Sequence, residues 1–111
     1  MMRKVLIILF ILTSSAVAYA DEIPCTGEFC NGWYVSYHYQ DTSMIVKYEN
    51  ETGKTAYQIT CRINYFDAGG AHAGSVTYKH DGPIRKQIVF QAKYPRHFSR
   101  MEAEIYYKTE Q

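Results

Sequence analysis

The stretch TAYQITCRINYF, residues 55–66, alternates apolar and polar side chains along its length. Tyr57, Ile59, Cys61, Ile63 and Tyr65 would point one way, and Gln58, Thr60, Arg62 and Asn64 the other. A repeat of two belongs to a pleated strand with one buried face; an amphipathic helix repeats every 3.6 residues. The same period recurs along the chain. Trp33, Val35, Tyr37 and Tyr39 share a face in residues 32–39, and Met44, Val46 and Tyr48 do so in 43–49. Residues 75–80 form a short strand. In 84–94, Ile84, Ile88, Phe90 and Ala92 turn inward, or Val89 does if a bulge shifts the register. Met101, Ala103, Ile105 and Tyr107 alternate with Arg100, Glu102, Glu104 and Tyr106, which favours a strand over a helix in 98–108. Turn residues separate these runs: NETGK, the loop DAGGAHAG at 67–74, and DGP. Tyrosine-rich, half-buried strands with no clear helix predict an all-β chain, a small antiparallel sandwich of six to seven strands.

Residues 1–20 have another design. A positive MMRK start, the apolar run VLIILFIL and the small-residue site AYA have the layout of a secretory signal peptide cleaved after Ala20. The apolar run stops at Leu12, short of the about 20 residues a membrane span needs, so no span is expected after cleavage. Three parts follow: 1–20 signal peptide, 21–31 a disulfide-pinned N-terminal segment, and 32–111 the sandwich domain. The expected location is secreted or periplasmic. Without Arg3 and Lys4 the formal charge falls from +1 to −1, which argues against a nucleic-acid partner. Charge is nevertheless divided. Residues 21–51 carry six acids and one base, and residues 79–100 six bases and one acid.

An oxidising compartment makes disulfides the default for Cys25, Cys30 and Cys61. If the NETG turn closed a hairpin, Cys61 would sit at the far end of the sheet from Cys30, roughly 25 Å away. A bridge needs Cα atoms within about 7 Å. The expected pair is therefore Cys25–Cys30, with Cys61 a buried free thiol; a first strand lying in the other sheet would reopen Cys30–Cys61. Four residues between the thiols and a following strand do not suit a redox motif. No second Cys or His pair has zinc-ligand spacing, and His38, His72, His80 and His97 are scattered. No metal and no cofactor is expected. The glycines of 67–74 precede no helix that could hold a phosphate, and no nucleophile elbow or paired catalytic carboxylates occur. Asn50-Glu51-Thr52 fits an N-glycosylation sequon, although turn composition also explains it.

INYFD, residues 63–67, resembles the signature of the FxLYD domains, small immunoglobulin-like sandwiches of exported microbial proteins. Asp67 is identical to the signature, whereas Ile63, Tyr65 and Phe66 depart from it. The resemblance, spanning roughly 44–108, implies an immunoglobulin-like sandwich and a non-catalytic extracellular module, and it transfers no site residues. The most suggestive surface stretch is KYPRHFSR, where Lys93, Arg96 and Arg100 surround Tyr94, His97 and Phe98 at a turn. Cations beside aromatics suit an acidic protein surface or an anionic glycan. Ordinary packing of the aromatics into the core is the plainer account. The expected function is binding of a protein partner through Lys93, Tyr94, Arg96, His97 and Arg100, aided by 67–74, without catalysis. The alternatives are an inhibitor or immunity protein blocking a hydrolase such as a lysozyme, and a carbohydrate-binding module using Trp33 and Tyr34.

Overall fold

The structure is a computed structural model that describes residues 21–109. The signal-peptide expectation falls on residues 1–20 and lies outside the described residues. Seven strands are present among the described residues: β1 (Asp21–Glu22), β2 (Trp33–Gln40), β3 (Ser43–Asn50), β4 (Ala56–Phe66), β5 (His72–His80), β6 (Gln87–Ala92) and β7 (Arg100–Thr109). A 3-10 turn, Glu28–Cys30, is the helical element among them. The strands form two antiparallel sheets, one ordered β1-β2-β3-β6 and the other β5-β4-β7. They stack as a sandwich.

Alternation supplies the core. Val35 of β2, Met44, Val46 and Tyr48 of β3, and Ile88, Phe90 and Ala92 of β6 face Ile59, Cys61, Ile63 and Tyr65 of β4 and Met101, Ala103 and Ile105 of β7. Two tyrosines tie the layers together through their polar ends. The Tyr48 hydroxyl reaches the carbonyls of Arg62 (3.2 Å) and Glu104 (2.9 Å) in the opposite sheet. Tyr65 donates to the carbonyl of Lys93 at 2.9 Å. A buried hydroxyl without such a partner would oppose folding, so these rings belong where a carbonyl waits. Tyr78 of β5 stacks on Phe90 of β6, with centroids 4.6 Å apart and planes 5° from parallel.

The connections differ from the expected ones. NETG does not close a hairpin: β3 pairs with β6, and the chain crosses to the other sheet before β4. Asn50 holds that crossing. Its amide donates to the carbonyls of Lys54 (2.8 Å) and Ile84 (3.2 Å), and its Oδ1 accepts from the backbone N–H (3.0 Å) and hydroxyl (2.6 Å) of Thr52. At 9 % exposure with its amide nitrogen so used, Asn50 serves the fold. The return crossing starts where Ile84 bridges Ala56, so β6 begins at Gln87 and not at residue 84. Gly82 passes so close to β4 that a Cβ would lie 2.6 Å from the carbonyl oxygen of Ala56, a space only glycine fits.

Two bulges shift the simple alternation. Gln58 adopts φ 48°, and the β4–β7 register slips between Tyr57 and Thr60. An extra residue in one strand flips parity. Ala56 consequently enters the core and Tyr57 is only half-buried. In the 67–74 segment the turn ends at Ala71 and β5 begins at His72, with a register shift between Tyr65 and Phe66. Gly74, at φ 151°, is there a strand residue at an irregularity, not a loop glycine.

The N-terminal segment closes one long side of the sandwich. Asp21 and Glu22 pair with Tyr37 and Ser36 of β2, and Ile23 donates to the Val35 carbonyl. The chain then switches sheets. Ala103 of β7 donates to the Pro24 carbonyl (2.7 Å) and accepts from the Thr26 N–H (2.9 Å). Residues 21–26 thus strap both sheet edges, with Ile23 buried beneath at 3 % exposure. The Cys25–Cys30 disulfide, Cα atoms 5.7 Å apart, fastens the strap's far end. Cys61 is a buried free thiol. The pairing is the expected one, but the expected reason fails: Cys61 lies in a different sheet from the β2–β3 hairpin, so an in-sheet distance did not separate it from Cys30.

Candidate functional site

Below the strap the two sheets part, and an open groove of about 1010 Å³ fills the gap. Three segments far apart in sequence frame it. The strap and β2 contribute Glu22, Tyr37 and Tyr39; the β4–β5 turn contributes Asp67 and Gly69; the approach to β7 contributes Arg96, His97, Phe98 and Arg100. Tyr37 and Tyr39 keep the inward face expected of them, but β2 outruns the sheet covering it. Tyr39 is 51 % exposed as a result.

Each wall has a local cause. Asp67 Oδ1 accepts from the backbone N–H groups of Gly69 and Ala71, both at 2.9 Å, which fixes the turn. Tyr39, Tyr94, Phe98 and Tyr65 form a chain of edge-on ring contacts, with centroid distances of 5.3 Å, 5.9 Å and 5.0 Å in that order. The chain runs from an exposed ring to a buried one, so the aromatic wall is anchored in the core. Burial first, then the neighbouring Tyr37 and Tyr94, pushes the Tyr39 hydroxyl above its ordinary pKa. Arg100 lies 4.2 Å from the centre of the Phe66 ring and pairs with Glu102. Arg96 and His97 are exposed on the rim.

The groove brings together Arg96, His97 and Arg100 of the five residues expected to bind, along with the 67–69 turn. It does not include Lys93 or Tyr94. Lys93 is exposed on the run after β6, and its carbonyl accepts from Tyr65. Tyr94 is half-buried inside the ring chain and supports the wall from behind. Sequence reading missed Tyr37 and Tyr39 as groove residues, because alternation assigns them to the core. It also missed Glu22, which reaches the site only through the strap, whereas Asp67 belongs to the 67–74 loop expected to aid binding.

The other expected sites resolve differently. Trp33 is 3 % exposed and packs on Tyr107 at 5.5 Å, leaving Tyr34, at 60 %, as the exposed ring of that pair. Glu102 pairs with Arg100, and Glu104 accepts from Asn64 and Tyr106. Among the described residues, no three His, Cys, Asp or Glu side chains gather as metal ligands. Burial drives the Cys61 thiol up to about 12, a poor nucleophile sealed in the core. No helix among the described residues is long and apolar enough to cross a membrane. No protein-family model matches the chain, and no curated protein or solved structure matches it significantly.

Proposed function

We propose that this chain is an exported, non-catalytic binding module that engages an envelope or extracellular protein through the groove below the strap. The observation that carries the reading is the groove itself: about 1010 Å³, walled by rings anchored in the core and rimmed by exposed Arg96 and Arg100. Anchored aromatics give contact area at little entropic expense, and arginines add directional contacts to carboxylates. The Cys25–Cys30 bridge supports work in an oxidising compartment, and the FxLYD-like stretch 63–67 supports the same kind of module. Arg96 and His97 touch the partner directly; Arg100, held over Phe66, orients it; Lys93 adds charge from beside the groove.

The test is capture of envelope proteins by the wild type and by a Lys93→Gln, Arg96→Gln, Arg100→Gln triple variant. Loss of the captured partner by about tenfold or more is expected. Unaltered capture by the triple variant overturns the groove assignment. Inhibition of a muramidase, with no other partner captured, would replace this reading with a hydrolase inhibitor. Retention on a glycan matrix through Tyr34 would replace it with a carbohydrate-binding module.

A further inference from the structure

The groove belongs to the strapped side of the sandwich. On the opposite side two sheet edges, β5 and β6, lie next to each other, as the Tyr78–Phe90 stack shows. We propose that the edge of β5, which has no outer neighbour among the described residues, receives an extended segment of a partner protein, alternating apolar and acidic side chains, as a fourth strand of the β5-β4-β7 sheet.

Backbone alternation identifies the free groups. A strand residue turns its N–H and C=O to one side, and its neighbours turn theirs to the other. Ala103 spends both groups on the strap, so Glu104 faces β4 and pairs there with Arg62. The Tyr48 hydroxyl within reach of both of their carbonyls agrees with that pairing. Arg62 therefore faces β7, and Cys61 and Ile63 face β5, where their partners are Tyr78 and Val76. The groups of Ser75, Thr77 and Lys79 consequently point outward, away from the sheet.

Such a row is a template for another strand unless a protein blunts it. β5 is nine residues long, contains no proline and carries one Lys. β6 offers Gln87, Val89 and Gln91 by the same reasoning, since Asn50 donates to Lys86 across that ladder, but it is only six residues long. β5 is the stronger template.

The surroundings choose the occupant. Inward side chains of an added strand would lie beside half-buried Val76 and Tyr78, which calls for apolar groups. Outward side chains would lie opposite Ser75, Thr77 and Lys79, with Arg62 one strand further in. Exposed Arg85 and Lys86 lead into the neighbouring edge, against the single exposed acid Asp81. Acidic groups complement this surface. A second copy of the chain would bring the same cations to the same seam, which charge opposes.

The probe is a capped peptide of alternating valine and glutamate titrated into isotope-labelled full-length mature protein, with alternating valine and lysine as the charge control. Saturable binding of the acidic peptide is expected, with new exchange protection at the Ser75 and Thr77 amides. Thr77→Pro removes an outward N–H without breaking the β4 ladder and should weaken binding by about tenfold or more. Thr77→Val should bind as the wild type does. Should Thr77→Pro fail to fold, Lys79→Glu serves, reversing the preference between the two peptides. Protection in the groove instead, equal binding by Thr77→Pro, no binding, or a dimer that already protects Ser75 and Thr77 would each overturn the proposal. None of these variants touches the groove, so this inference can fail while the groove assignment stands.

Discussion

The two long sides of the sandwich end differently. On one, β2 and β7 are bridged by residues 21–26, with Ile23 buried under the bridge and a disulfide at its end. On the other, the 81–86 crossing joins β5 to β6 at one end, side chains such as the Tyr78–Phe90 stack meet between them, and among the described residues neither sheet has a further strand beyond them. A chain this small has a modest core, and each edge it leaves bare is an edge others can pair with. Sealing one side covalently while leaving the other open separates stability from availability. The strapped side should carry stability, and the open side should tolerate change.

The largest expected effect tests that division directly. Ile23→Ala removes a buried side chain from beneath the strap and should cost about 3 kcal/mol in urea unfolding. Val89→Ala, on the outer face of the open side at 43 % exposure, should stay within about 0.5 kcal/mol. Equal effects would abolish the distinction. Replacing Cys25 and Cys30 by serine comes next, at about 2 kcal/mol for so short a ring. Its signature should be local: faster amide exchange at Thr26 and Ala103, with the β5–β4 ladder unaffected.

Alternation was legible in the sequence from the start, because Ile59, Cys61, Ile63 and Tyr65 can share a face only in a strand. Which strands become neighbours was not. Period two says which face a side chain takes and nothing about its partner, so β3 looked as ready to pair with β4 as with β6. The decision rests on Asn50 and Gly82, two residues whose turn-like chemistry also suits hairpins. Both bulges were hidden for a similar reason: Gln58 is no glycine, and Gly74 looks like loop. The groove was half-visible. Arg96, His97 and Arg100 are close in the chain and the 67–74 loop is expected to aid them, but Tyr37, Tyr39 and Glu22 join them only once the topology is known.

Cys61 sharpens the comparison from within, since it lies on β4 between Tyr78 of the open side and Ile105 of the strapped side. Its folded pKa of about 12 exceeds the usual 9.0 because burial disfavours the thiolate. Below pH 9 both states hold the proton and the contribution is complete. Between about 9 and 12 the unfolded chain ionises while the folded one does not, so stability falls as pH rises, by up to about 1.4 kcal/mol per unit. Cys61→Ala should remove the decline of the urea midpoint between about pH 9 and 10, whereas Tyr48 and Tyr65, both raised by burial, should keep a decline above pH 10. A slope unchanged in Cys61→Ala would mean that the thiol meets solvent in the folded state, placing an opening on the β5 side.

The smallest effect bears on the groove. Arg100 is half-exposed, sits over the Phe66 ring at 4.2 Å and pairs with Glu102 on the same strand. A surface cation–ring contact contributes about 0.5 kcal/mol, and an exposed ion pair often adds little. Arg100→Gln should therefore shift the urea midpoint by less than about a quarter of the Ile23→Ala effect, since neither contact is desolvated. Arg96→Gln, on the exposed rim, should shift it less still. If Arg100→Gln instead destabilised as much as Ile23→Ala, the β7 approach would be part of the strapped side's structural framework. Its arginine would then be holding the Phe66 region in place, and any loss of binding in the triple variant would report unfolding and not contact.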